Sequence, residues 1–391
     1  MKGFSYLVIT LLLSGIQGCK STSETQASAP HPVYWQSFPD AKHIKVESPT
    51  QILALSEAAE RFIVDLSLHE RPDDPDMLDK FIDAVFHHQQ QGLSYHSDAN
   101  YSVATTFRLR EANCLSLTLM TYALATRAGF EATLNTVEIP EYWSRKEGYS
   151  VLNGHINLTL SQTYKGKVIA SRVVDFDQRI ESQQFPASEV SLPSVLGMFY
   201  NNKAAIGLIT GQFDYAFAYM AKGLELDPTL REGWVNLGVL YRFTNHYDAA
   251  EQAYLRAIAL DDTDLTAKEN LAVLYRHTNR DLKAAVLESE VKAQREGNPY
   301  YHLILGDEAY DNGLYTIAHS HYRRAYRLDR KNHLVLSALG KSAFSKGNLT
   351  DAKGYLERAI NNASHEQDIN RYTSKLAVVA SIQNINQGDF E

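Results

Sequence analysis

The C-terminal half of the chain repeats every 34 residues, and this period restricts the fold more than any other feature. The decapeptide NLGVLYRFTN at 236–245 recurs as NLAVLYRHTN at 270–279, with eight of the ten positions identical. Leucines continue the same register at Leu237, Leu271, Leu305 and Leu339. A repeat of this length holds one helix pair, which buries its apolar face only by stacking on its neighbours. The sequence therefore predicts an all-α solenoid.

Within each repeat, small and large residues alternate in a pattern that resembles the tetratricopeptide repeat. The repeat that begins at Arg231 is the most complete, with Trp234, Leu237, Gly238, Tyr241, Ala250, Tyr254 and Ala257. Small residues allow two helices to approach, and the large ones fill the space between them. The sequence predicts five repeats, the first of them degenerate, at 197–230, 231–264, 265–298, 299–332 and 333–366. A capping helix and tail at 367–391 should cover the last apolar face.

The N-terminus has the features of a bacterial lipoprotein signal. A positive charge precedes a short apolar stretch, Phe4–Leu13, which is too short to span a bilayer. The residues before Cys19 resemble a lipobox, and this resemblance implies a signal peptide at 1–18 and lipidation of Cys19. An ordinary secretory signal is the alternative. The polar stretch assigned to 19–44 is expected to be a flexible tether. Lys20 favours the outer membrane, so we expect a lipid-anchored protein on the periplasmic face of the cell envelope.

If Cys19 carries lipid, Cys114 is the one thiol that remains in the chain. In an oxidising compartment it then has no intramolecular partner, and it is either a buried small hydrophobe or a reactive group. No metal or other cofactor is expected, because His87 and His88 are sequence neighbours that point apart on a helix. The net charge of −8 and the lack of a clustered basic face argue against nucleic acid.

Residues 45–196 form a predicted α+β domain, with helices followed by a small antiparallel sheet. Apolar spacing predicts helices at 50–68 and 77–88, and an amphipathic helix from Cys114 to Gly129. Beyond Gly129 the period changes to two, which is typical of strands. The alternating runs lie at 131–139, 154–160 and 168–177. Pro140 and the polar residues after it are interpreted as a break between the first two.

Cys114 opens its helix, and a thiol in this position is close to unpaired N–H groups and the positive end of the helix dipole. Both favour the thiolate, so we expect the pKa of Cys114 to lie below that of a free thiol. His155 begins one strand and Asp175 ends the next. A three-residue loop at 164–166 would place the two side chains opposite each other. A loop of another length would leave Asp177 as the alternative.

Three blocks, ANCLSLTLMTYALATRAGF, VEIPEYWSRKEGYSVLNGHINLTL and VVDFD, resemble the transglutaminase-like superfamily. They resemble in particular bacterial envelope proteins that join such a domain to tetratricopeptide repeats. The resemblance implies a papain-like fold, with Cys114 as nucleophile, His155 as base and Asp175 as the group that orients the base. It also implies hydrolysis or transfer of an amide-linked acyl group through a thioester. Some members of the superfamily are inactive, so the alternative is a non-catalytic scaffold or adaptor of an envelope complex.

The repeat groove is expected to bind a protein or peptide partner. Arg242 and Arg276 lie 34 residues apart on the first helices of two repeats. They either line the groove and meet acidic peptide groups or are simply solvated. The first repeat has Lys203 and Gly207 where large apolar residues are usual. Because such a repeat cannot bury its own face, we expect residues 180–215 to pack against the preceding domain.

Overall fold

The computed structural model describes residues 35–68, 71–87, 94–96, 99–176, 185–364 and 366–388. Within them the chain forms an N-terminal α+β domain and a C-terminal stack of paired helices. The predicted signal peptide, Cys19, Asp177 and most of the predicted tether lie outside the described residues. No described helix combines the length and hydrophobicity that a membrane crossing requires.

The described helices of the N-terminal domain are α1 Pro49–Leu53, α2 Glu57–Asp65, α3 Asp76–His87, α4 Val103–Leu109 and α5 Cys114–Ala128. The single helix expected at 50–68 is wrong, because the chain forms two. Ala54 is extended and ends α1, and Ser56 begins α2 by accepting a hydrogen bond from the Ala59 N–H at 3.2 Å. A hydroxyl acceptor at this position satisfies a backbone donor that the first turn of a helix leaves open.

The helix that carries Cys114, α5, runs through the centre of this domain. Asn113 caps its N-terminus, and Gly129, with φ of 92°, ends it in the left-handed conformation. Residues 115–121 are all buried. The expected amphipathic helix is therefore covered nearly all round, which is typical of a central core helix rather than a surface one.

The described strands are β1 Ser94–Tyr95, β2 Glu111–Ala112, β3 Glu131–Val137, β4 Tyr142–Lys146, β5 Tyr149–Asn153, β6 Ile156–Tyr164, β7 Lys167–Val174 and β8 Ala187–Glu189. Four of them make an antiparallel sheet in the order β7–β6–β3–β8, and α5 packs against β3 and β6. The residues at 141–148, interpreted from the sequence as a break, form the separate hairpin β4–β5 together with 149–153, for which no strand was predicted. Its turn, Glu147–Gly148, has positive φ at both residues, as a tight hairpin requires.

The connection between β6 and β7 differs from the expected three-residue loop. It is a two-residue turn, Lys165–Gly166, with φ of 47° and 76°. A bulge between Gln162 and Thr163 then shifts the register, so that Leu158 pairs with Val174. Glycine is suited to the second turn position because it adopts positive φ without steric cost.

The C-terminal half, as far as the structure describes it, contains five helix pairs and a final long helix. The helices are α6 Leu192–Ile209, α7 Phe213–Leu226, α8 Arg231–Phe243, α9 Tyr247–Leu260, α10 Leu265–His277, α11 Asp281–Arg295, α12 Pro299–Asp311, α13 Tyr315–Leu328, α14 His333–Ser345, α15 Leu349–Asn362 and α16 Glu366–Gly388. Consecutive helices from α6 to α15 pack as pairs, and α16 packs on α15. The first pair begins at Leu192 rather than at 197, because Ser191 caps α6 there.

The first repeat is closed by the N-terminal domain, as the unfinished sequence of that repeat predicted. Phe38 is only 4% exposed and stacks on Phe217 of α7 with ring centroids 4.5 Å apart. The Tyr200 hydroxyl of α6 donates a hydrogen bond to the Glu47 carbonyl at 2.6 Å. The predicted interface is confirmed for α6, and residues 177–184 lie outside the described residues. The segment 35–44 belongs to this packed region, so the expected tether ends earlier than position 44.

Candidate functional site

Two of the predicted catalytic residues are in direct contact. The His155 Nε2 lies 2.7 Å from the Asp175 Oδ2, and the His155 side chain is fully buried. An ionised carboxylate only accepts hydrogen bonds, so the proton of a neutral imidazole sits on Nε2 and leaves Nδ1 as the basic atom. Among the described residues, the Nδ1 atom is buried and has no hydrogen-bond partner. The contact with Asp175 therefore fixes the orientation of the His155 ring inside the domain.

The contact forms although the expected loop was wrong. With the observed register, Asp175 is opposite Asn157 when the pairing of Leu158 with Val174 is extended by one residue. In this register the residue opposite His155 would be 177, so Asp175 is its diagonal neighbour on the adjacent strand. Long side chains can span the distance between diagonal neighbours. The observed register differs from the predicted one by two residues. Because side chains alternate between the faces of a strand, a shift by two keeps His155 and Asp175 on the same face of the sheet.

Cys114 is half-buried at the first residue of α5 and packs against the hydrophobic core, while the residue before it, Asn113, belongs to a network of polar groups. The Asn113 Oδ1 accepts from the Ser116 N–H at 2.9 Å, and the Asn113 Nδ2 donates to the Asn100 Oδ1 at 3.2 Å. The Asn100 Nδ2 in turn donates to the Phe199 carbonyl of α6 at 3.0 Å. This buried network holds the start of α5 and links it to the first repeat. Sequence reasoning gave neither Asn113 nor Asn100 a role.

Cys114 and His155 belong to elements that pack together, because α5 lies against β6 and His155 immediately precedes that strand. That the sulfur of Cys114 also faces the His155 ring stays a prediction. The described residues contain no cluster of three or more His, Cys, Asp or Glu side chains with the geometry of a metal site. His88 lies outside the described residues.

The two arginines predicted to bind a partner have different surroundings. Arg276 makes two hydrogen bonds to the Glu288 carboxylate, at 2.9 and 2.6 Å, and one to Asp281 at 3.0 Å. Hydrogen bonds to Glu288 and then to Asp281 raise the pKa of Arg276. Arg242 lies over the Phe243 ring at 4.9 Å from its centroid. Binding of acidic partner groups by either residue stays a prediction, and for Arg276 it would compete with carboxylates of its own repeat.

A buried ion pair between the two halves was missed from the sequence. Arg295, at the end of α11, is 2% exposed, and it binds both carboxylate oxygens of Glu141 at 2.7 and 2.8 Å. It also donates to Glu269 at 2.8 Å and lies 4.8 Å from the centroid of the Trp143 ring. Burial opposes the charge of Arg295, but Glu141 and Glu269 outweigh it and raise its pKa. We name Glu141 and Arg295 the clamp.

Around the clamp, the β4–β5 hairpin lies on the first helices of three repeats. We call this surface, formed by α8, α10 and α12 together with Arg295 at the end of α11, the groove. Tyr149 contacts the Phe243 ring of α8, and Trp143 contacts the Tyr301 ring of α12. The Ser150 hydroxyl donates to Glu308 of α12 at 2.5 Å. The signal in the sequence was Gly148, a turn residue between two short runs that contain aromatic or β-branched residues, which a hairpin interpretation would have used.

Two family models, both of the tetratricopeptide repeat, match this chain at residues 232–264 and 304–368. These helices are tetratricopeptide repeats. The matched helix pairs each have a glycine packed against a large side chain, Gly238 against Tyr254, Gly306 against Tyr322 and Gly340 against Leu356. The N-terminal domain is α+β, and both of these matches lie outside it. No curated protein matches the chain.

Solved structures that resemble the chain include several repeat proteins. PilF of Pseudomonas aeruginosa is 16% identical, with 50% of this chain and 88% of that chain covered and a TM-score of 0.28. YrrB, described as a TPR protein with an unusual peptide-binding site, is 17% identical, with coverages of 46% and 92% and a TM-score of 0.25. Yeast Tom70 is 15% identical, with 48% of each chain covered and a TM-score of 0.30. TM-scores below 0.5 do not establish a common overall fold.

Proposed function

We propose that this protein is an adaptor of the bacterial cell envelope, with tetratricopeptide repeats that bind a protein partner. The observation that supports it most is that the groove already holds a peptide segment, the β4–β5 hairpin, by a buried ion pair and aromatic rings. Stacked helical repeats use such inner faces as extended binding surfaces. In this proposal the N-terminal domain completes the first repeat and supports the solenoid.

The partner site is tested by photo-cross-linking in the intact envelope. Phe344 is an exposed aromatic side chain on α14, at the position equivalent to Tyr310 one repeat earlier. A photoreactive phenylalanine at position 344 should capture a protein, whereas one at Lys353, exposed on α15, should not. The same product should form when Cys114 is replaced by Ala. Loss of the product in Cys114→Ala would contradict an adaptor that works without the thiol.

Envelope anchoring belongs to the same proposal and rests on the sequence before Cys19. Several acyl chains would hold the protein stably on a membrane, whereas a single chain gives only marginal binding. Cys19→Ser should convert the protein from a detergent-extracted to a soluble periplasmic form. If the variant still fractionates with membranes, the anchor is a different one.

A second candidate function, acyl transfer at Cys114, is favoured by the His155–Asp175 contact. The buried Nδ1 of His155 is a base without a hydrogen-bond partner in the described part of the chain. A thiol at the start of a helix gains thiolate character, and a nearby base completes an activated nucleophile. The chemistry would be attack on an amide carbonyl, a thioester intermediate, and release to water or an amine. Three sequence blocks of the N-terminal domain resemble transglutaminase-like proteins. This proposal applies that resemblance to the domain as a whole.

Thiol reactivity separates the two candidates. An activated Cys114 should react with iodoacetamide at pH 6 at least about ten times faster than a simple thiol, because more of it is thiolate. His155→Ala and Asp175→Asn should each remove this excess, while Ser171→Ala, an exposed change on β7, should leave it unchanged. A slow reaction that is indifferent to His155 would refute catalysis and leave the adaptor as the function.

A further inference from the structure

The β4–β5 hairpin is an insertion between two neighbouring strands of the sheet. It leaves the sheet after β3 and returns just before β6, where the Val137 N–H donates to the His155 carbonyl at 3.1 Å. β3 and β6 themselves pair antiparallel from Glu131 to Thr136. The hairpin forms a two-stranded sheet of its own, separate from the sheet of order β7–β6–β3–β8. The hairpin is therefore held in place by the groove and by its own ladder.

The groove binds this hairpin in the way it would bind a separate peptide. Glu141 supplies both carboxylate oxygens to Arg295, and its backbone carbonyl accepts from the Asn298 Nδ2 at 2.7 Å. Tyr142 and Trp143 follow it and contact the rings of Tyr300 and Tyr301. Bidentate pairing with a buried arginine and burial of large rings are the features that dominate binding at interfaces.

We propose that the hairpin is an internal ligand of the groove and that the adaptor's partner competes with it. The partner would be a protein that presents an acidic residue followed by aromatic residues, the chemistry of Glu141, Tyr142 and Trp143. This inference rests on the proposed adaptor function and names the class of partner. Arg295 selects the chemistry, since a buried guanidinium that loses Glu141 keeps only Glu269 and has two donors that another carboxylate would satisfy.

The amount by which the docked hairpin weakens the binding of a competing partner can be calculated. A tethered segment acts at an effective concentration of about 1 mM when its connections are short. If the free segment binds the vacated groove with a Kd of about 10 μM, the docked hairpin weakens any competitor about 100-fold. A groove without its hairpin should then bind the same chemistry about 100 times more tightly.

The test uses a cyclised, fluorescein-labelled peptide with the sequence of residues 140–153, titrated into the full chain. Cyclisation is needed because an isolated two-stranded hairpin is marginally stable in water. Glu141→Ala should release the hairpin and bind the peptide about 100-fold more tightly than the unmodified chain. Glu138→Ala is the matched control, an exposed glutamate just before the hairpin, and should bind like the unmodified chain. A peptide with Ala in place of Glu141 should bind neither.

A second measurement does not depend on how the variant folds. In the unmodified chain, saturating peptide should speed amide hydrogen exchange at residues 142–153, because the hairpin is displaced. Equal affinities for the two chains, or unchanged exchange under saturating peptide, would overturn the proposal. So would failure of the peptide to bind a Glu141→Ala chain whose helical circular dichroism is intact. If any of these results is found but the cross-linked product at position 344 still forms, the protein is an adaptor whose partner does not compete with the hairpin.

Discussion

Replacing Gly238 with alanine should destabilise the protein, although alanine is the better helix former. Gly238 lies within α8, and a Cβ there would be 2.4, 2.6 and 2.8 Å from three ring atoms of Tyr254 on α9. Tyr254 is fully buried, so the ring has no free space to enter. Overpacking costs about 1–3 kcal/mol, whereas Gly to Ala in a helix gains about 1 kcal/mol. With three contacts this short the cost is at the upper end, and the net loss should be about 1–2 kcal/mol.

The matched control is Gly354 in α15, where a Cβ would meet nothing within 4 Å. Gly354→Ala should stabilise the protein by up to about 1 kcal/mol, because only the helix propensity changes. Urea unfolding followed by circular dichroism at 222 nm gives both free energies of unfolding. If Gly238→Ala stabilises the protein as much as Gly354→Ala, then α8 and α9 do not approach as closely as described, and this explanation of the small residue is wrong.

Three further changes test other parts of the structure. Phe38→Ala should lower the free energy of unfolding in urea by about 3 kcal/mol, whereas Val64→Ala, an exposed control, should change it by no more than about 0.5 kcal/mol. Equal effects of the two changes would mean that Phe38 is not part of the core and that the flexible tether extends to residue 44 as the sequence predicted. Asn113→Ala should lower it by about 1–2 kcal/mol in the same assay, and a neutral result would contradict its role as cap of α5. Burial opposes ionisation of Glu251, but hydrogen bonds from Arg280 and Tyr275 outweigh it and lower its pKa. Glu251→Gln should therefore cost about 1–2 kcal/mol above pH ~5 and progressively less as acid protonates Glu251; a pH-independent loss would contradict this.

Contacts between residues close in the chain were predicted well. The 34-residue period identified the helix pairs because the two helices of each repeat are joined by a short loop and pack on each other, as α8 and α9 do. Alternation identified β3, β6 and β7. The His155–Asp175 contact survived an incorrect loop, since the two-residue shift kept both side chains on one face of the sheet.

The hairpin and the clamp were decided by tertiary structure. Glu141 and Arg295 are 154 residues apart, and the local sequence around each of them does not predict that they pair. Phe38 entered the core because the first repeat leaves an open face beside Phe217.

The sequence by itself determined the repeat architecture, three of the four strands of the sheet and the candidate His–Asp pair, because periodicity records which face of each element is buried. Only the tertiary structure decided which surface covers the first repeat and what occupies the groove. Those contacts join distant segments whose local patterns are compatible with several partners, and the choice among them depends on shape and on the pairing of a buried charge.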